Sequence, residues 1–218
     1  AVLAFSAPID RLQGEYTRLL YIHVPTLWIA FLAFGLTAFG SIAYLIRKKM
    51  RWDRLAAGSA EIGVLFSVVG VFTGMVWGQV VWGQAWDWSD ARLATTAVMV
   101  FVYIGYLALR QAIDDPVRRA RRAAILGTIA VVQIPLVYFS VNLWRTLHQT
   151  QSIRPDGSTM EPEMLVALLV NVAAFTIAYI ALLVGRTFVS RLEEDAAPAT
   201  ELAGDQVSPP RLSEVEDV

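Results

Sequence analysis

The sequence predicts an all-α fold, a polytopic membrane helix bundle with five spans, and three observations carry that prediction. Hydrophobic residues fill 56% of the 218 positions and charged residues only 17%, with a mean hydropathy of +0.51. That is the composition of an integral membrane protein. Five stretches contain no Asp, Glu, Lys or Arg: 19–46, 62–86, 93–109, 123–144 and 164–185. Lipid offers no partner to an unpaired strand edge, so such stretches are read as helices.

A helix rises about 1.5 Å per residue and needs about 20 apolar residues to cross the hydrocarbon core. The first span is placed at about 19–46 and the second at 62–81. The third, 93–110, has an uncharged run of only 17 residues and sits at the short limit. In the fourth, 123–144, Gln133 and Pro135 interrupt an apolar helix, and the missing proline N–H predicts a kink. Ser140 in the same span has a plain expectation, a hydroxyl bonded back to its own helix. The fifth span covers 164–186. None shows the strong polar face of a helix lying on the bilayer surface.

These spans define a transmembrane domain over 1–191, followed by a tail over 192–218 with eight acids and a single Arg. Glu193-Glu194-Asp195, Pro198 and Pro209-Pro210 leave that tail little to bury, so a disordered acidic segment is expected. At the other end no signal peptide of the usual form is present. Ala1-Val-Leu-Ala-Phe5 reads as the last turn of a preceding helix, and the chain lacks an initiator Met, so a longer parent protein is expected.

Basic residues set the orientation. Thirteen lie in 47–54, in 110–122 and at Arg186, Arg191 and Arg211, against five (Arg11, Arg18, Arg92, Arg145 and Arg154) on the other side. The positive-inside rule places the first group in the cytoplasm. The segment before His23, the stretch 82–90 and the loop 145–163 then face outward together.

That outward face carries the unusual chemistry. Four of the seven tryptophans fall between Trp77 and Leu93. A rigid amphipathic ring serves as an interfacial anchor or as a platform for a flat apolar ligand, and composition leaves both open. The chain has no cysteine, so His23 and His148 are its only nitrogen or sulfur ligands of the usual kind besides five methionine thioethers. Either histidine alone reads as a hydrogen-bonded structural residue. Two on one face, with a tryptophan shelf between them in sequence, suit axial ligation of haem iron. All five outward bases are Arg, the side chain that pairs bidentately with carboxylates such as propionates. For Arg18, Arg92 and Arg145 the plain alternative is an end-of-helix anchor, and for Asp90 a pair with Arg92 or a solvated turn.

Four features together resemble the haem-handling membrane proteins of cytochrome c maturation, the CcmC/CcsA family. They are Trp82-Gly83-x-x-Trp86-x-Trp88 with Asp90-x-Arg92-Leu93; Tyr21-Ile-His23-Val-Pro25 with Arg18 before it; Ser140-x3-Trp144-x-Thr146-Leu147-His148-Gln149; and the order of spans over roughly residues 10–190. The resemblance implies a six-helix protein of the bacterial cytoplasmic membrane that holds haem b at the outer surface. His23 and His148 would be the axial ligands and Trp82, Gly83, Trp86 and Trp88 the shelf. Asp90, Arg92, Arg18 and Ser140 match further functional positions. Implied partners are a periplasmic haem chaperone of the CcmE type, ABC transporter subunits of the CcmA/CcmB type and a small CcmD-like membrane subunit, with no nucleic acid. Two departures stand out: Ser89 is inserted before Asp90, and five spans are present where the family has six.

The function expected is haem binding and delivery to the chaperone for cytochrome c biogenesis, not enzymatic catalysis. An alternative is a haem transporter and cytochrome c synthetase of the CcsA type, which usually carries more spans, more histidines and a large outer domain. A third class is a structural membrane subunit whose tryptophans are anchors only.

Overall fold

A computed structural model describes residues 7–9 and 13–207, the segment 197–207 as backbone alone. After a 3-10 turn at Glu15–Leu19, six helices follow: α1 (Leu20–Arg47), α2 (Met50–Val81), α3 (Ala91–Gln111), α4 (Pro116–Ala130), α5 (Gln133–Leu143) and α6 (Pro162–Val207). They make five segments long and apolar enough to cross a membrane, because α4 and α5 run on as one. The expected polytopic bundle is what the chain forms, with span limits within a few residues of the sequence reading except where charged ends extend the helices. The proposed helical turn at 1–5 lies outside the described residues.

The α1–α2 pair is the centre of the bundle, and small residues make it so. Ala33, Thr37 and Gly40 meet Ala56, Ser59 and Gly63 at distances that admit no larger side chain. A Cβ on Gly63 would stand 2.6 Å from Phe34, and one on Gly40 2.9 Å from the Trp52 carbonyl. Close backbone approach through small residues is how helices associate where lipid removes the hydrophobic drive. Ser59 adds a polar tie, donating to the Ala33 carbonyl at 2.7 Å. The turn joining the pair is only Lys48 and Lys49; Lys48 adopts φ 53° and donates its N–H to the Tyr44 carbonyl.

The starts of α3 and α4 have visible causes. Asp90 caps α3, and Asp115 caps α4 ahead of Pro116, whose missing N–H costs nothing at a first helical position. The expected kink falls at Val131–Val132, between α4 and α5, where Pro135 has no N–H to return to Val131. At the basic end of the bundle Arg110 clasps Asp53 with two bonds of 2.6 and 2.8 Å, locking α3 to α2. The loop between α5 and α6 holds one small hairpin, Ile153–Arg154 against Gly157–Ser158.

The tail departs from expectation. α6 runs to Val207, so 192–207 are helical, while 208–218 lie outside the described residues. The acids that made this segment look solvent-borne are what fasten its first turns. Glu194 pairs with Arg54 of α2 at 2.5 Å, and Arg186 bridges Glu61 at 2.5 Å and Glu193 at 3.4 Å.

Candidate functional site at the tryptophan end

His23 sits one turn into α1, and α2 fixes its ring. Its Nδ1 lies 2.9 Å from the Gly70 carbonyl and 3.3 Å from Thr73 Oγ1. A carbonyl only accepts, so Nδ1 carries the proton and Nε2 keeps its lone pair. Space for the ring comes from Gly74, where a Cβ would stand 2.8 Å from His23 Cε1. Trp77 meets the ring edge-on at 5.8 Å. Gly70, Gly74 and Gly78, four residues apart, form one face of α2: the first accepts from His23, the second admits it and the third seats Trp82. That stripe was legible in the sequence and was not among the site residues read from it.

His148 follows α5, and its ring meets Trp82 at 4.7 Å. Its Nδ1 is buried without a hydrogen bond, 3.7 Å from Asp90 Oδ1. Burial, then the Arg92 guanidinium, pushes this imidazole down to about 4, and the opposing pull of Asp90 does not restore it. At neutral pH it is therefore an uncharged base. Asp90 itself is buried and doubly engaged: Oδ1 accepts from Leu93 N at 2.9 Å and Oδ2 from Leu147 N at 2.6 Å. Ser89 is absorbed just before it, since Asp87 accepts both the Ser89 N–H (2.8 Å) and its hydroxyl (2.7 Å) in a tight turn. The insertion leaves Asp90 at the head of α3, and those two bonds hold the exposed Asp87 carboxyl below its usual range.

Arg92 lies in the first turn of α3 and acts electrostatically on both imidazoles. Among the described residues its guanidinium forms no ion pair or hydrogen bond. Arg18 differs: it is paired with Glu15 at 2.5 Å at the start of the first span. Ser140 is also apart, its hydroxyl returned to the Val137 carbonyl of its own helix at 2.7 Å.

The tryptophans divide into two groups. Trp77 and Trp82 touch the histidine rings. Trp86 and Trp88 pack on each other at 5.3 Å and roof an apolar cleft of about 440 Å³ between α2 and α3, lined by Phe72, Met75, Val100 and Phe101 among others. Gly83, at φ 73°, makes the turn that separates the groups. The tryptophan platform is thus two adjoining surfaces, one facing the imidazoles and one facing the apolar sides of α2 and α3.

Residues 1–200 match the family described as "Heme exporter protein C". The chain is 37% identical over 177 residues to heme exporter protein C of Bradyrhizobium diazoefficiens, covering 81% of this chain and 67% of that one. With the protein of that name from Haemophilus influenzae it shares 36% over 195 residues, 89% of this chain and 78% of the relative. The Escherichia coli K12 protein is 40% identical over 157 residues, where the match spans 68% of this chain and 62% of the other.

Proposed function

The chain belongs to the heme exporter protein C family, and from that premise we propose that it holds haem at the tryptophan end of the bundle and hands it on for cytochrome c maturation. The observation that carries the reading is the pair of histidines, each with its ring position set by protein partners. His23 keeps Nε2 free because Nδ1 is spent on Gly70. His148 stands uncharged with its ring against Trp82 and its Nδ1 3.7 Å from Asp90 Oδ1. Two protein nitrogens satisfy an iron whose other four positions are filled by the porphyrin. A ligand's second nitrogen held by a carbonyl or carboxylate is the arrangement that fixes tautomer and raises basicity.

Arg92 supplies the remaining requirement, a cation without a carboxylate of its own for a propionate, with Arg18 at the rim. Trp82 braces His148, while Trp86 and Trp88 offer an apolar surface to the macrocycle. The protein binds and presents its cargo. Its receiver is a haem chaperone, with ABC transporter subunits and a small membrane subunit completing the assembly. The bias in basic residues supports an assignment of this end to the extracytoplasmic side of the bacterial cytoplasmic membrane.

The test is the absorption spectrum of the purified, haem-loaded protein with His23 and His148 replaced in turn by Ala. Each variant should give a weakened, spectrally altered complex, and the double variant should lose ligation by protein. Unchanged spectra in both single variants would reject the assignment.

A further inference from the structure

At the opposite end of the bundle, we propose, the chain carries a built site for the phosphate of an anionic phospholipid, with Trp52 and Arg119 as its donors. Two basic segments converge there, residues 47–51 around the α1–α2 turn and 118–122 of α4. The convergence is set by packing: Tyr44, Ala120 and Ala124 form one buried cluster against which Leu45, Met50 and Trp52 lie. Tyr44 has the Lys48 ammonium over its ring at 5.8 Å and Arg121 within electrostatic reach.

The charge in this patch is unanswered. Arg54, Arg110 and Arg186 each have a carboxylate, but none of the cations in 47–51 and 118–122 forms an ion pair among the described residues. The Asp115 carboxylate beside them is engaged as a helix cap, accepting from Arg118 N at 2.6 Å. Within the patch two N–H donors are buried with no acceptor, Trp52 Nε1 and Arg119 Nε. A buried donor left unmet is costly, and an anionic oxygen is the acceptor that a cationic patch favours. The guanidinium groups of Arg51 and Arg47 lie 4.9 and 5.6 Å from the Trp52 ring and add charge over the same indole.

A lipid is favoured over a soluble anion by what adjoins the patch. Phe39 packs edge-on against Trp52, and Phe39, Ile42 and Ile46 of α1 are exposed, as are Ile125 and Ile129 of α4. Apolar faces therefore rise from the cations on both helices, as acyl chains attached to a bound headgroup require. Basic pockets between spans are recognised binding places for anionic headgroups.

The experiment uses the full chain in neutral detergent and measures thermal stability and lipid retention by native mass spectrometry. Phosphatidylglycerol, phosphatidylcholine of the same chains and glycerol 3-phosphate are compared. Phosphatidylglycerol alone should raise the melting temperature and remain bound. Trp52→Phe combined with Arg119→Gln removes both donors and should weaken its retention by more than about tenfold, since losing a single charge-assisted hydrogen bond already costs about that factor. Arg122→Gln, which removes the same charge from an exposed position, should have much less effect, and unchanged helical content would show that all variants fold. Equal stabilisation by the two lipids overturns the proposal in favour of an acidic protein surface. An equal effect of glycerol 3-phosphate removes the lipid, and an equal loss in Arg122→Gln reduces the site to diffuse attraction.

Discussion

Leu147 donates its backbone N–H to Asp90 Oδ2 across 2.6 Å, joining positions 57 apart in sequence. The other oxygen of the same carboxylate caps α3. One buried side chain thus sets where a helix begins and where the neighbour of His148 lies. Asp90→Ala should lose about 1 kcal/mol for the cap and a further 1–3 kcal/mol for the stranded Leu147 N–H. In the haem-loaded protein His148 ligation should weaken before His23 ligation. Thermal unfolding and the absorption spectrum check this, and an Asp90→Ala protein unchanged in both would remove Asp90 from the site.

Gly74 makes a second, sterically sharp case. Gly74→Val should push the His23 imidazole off its place at a cost of about 1–3 kcal/mol, the usual penalty of overpacking. Haem titration should show lower affinity in a protein that still inserts. Gly105→Ala, with no atom near its added Cβ, serves as the matched control and should bind as before. Equal behaviour of the two variants would mean that the ring is free to move.

His148 should titrate far from an ordinary histidine. Its folded pKa, pushed down to about 4, lies below the ordinary histidine value of 6.5, so between these pH values the unfolded chain holds a proton that the folded one does not. Stability from this group is therefore undiminished above about pH 6.5 and falls as pH drops toward 4. In haem-free His23→Ala protein, the rate of carbethoxylation of His148 should stay near its neutral-pH value down to about pH 5. A midpoint near 6.5 would show that the ring is neither buried nor beside Arg92.

The division of the tryptophans predicts two phenotypes. Trp82→Ala should disturb the spectrum, because Trp82 braces the His148 ring. Trp86→Ala with Trp88→Ala should lower haem occupancy while any haem retained keeps the wild-type spectrum. The cost should fall below the about 3–5 kcal/mol of an aromatic truncation in a closed core, since Trp88 is 67% exposed. Trp28→Ala should change neither quantity. Three indistinguishable variants would return the tryptophans to simple anchoring.

The spans were legible because apolar length and charge-free runs are local properties of sequence. The site was legible only as residue types on one face. Nothing local says that Asp90 reaches Leu147, or that Trp82 and Trp86, four residues apart, serve different surfaces; the φ of Gly83 and the packing of Gly78 decide that. Ser140 entered the candidate set through the family pattern, yet the plain expectation of a hydroxyl bonded within its helix is the one realised. The tail was misread over 192–207 because composition cannot register that Arg54 and Arg186 stand where Glu194 and Glu193 need them.

The break at Val131–Val132 has a mechanical meaning. A single unbroken rod would transmit a displacement of the basic segment 118–122 as a thrust along its axis, straight to the loop that carries His148. With the backbone ladder interrupted ahead of Pro135, the same displacement arrives as a swing about residues 131–132. His23 stands on α1, a single helix from Leu20 to Arg47 whose own Pro25 has no N–H to return to Tyr21. The two imidazoles thus ride on different supports, one within a single helix and one beyond a break between two.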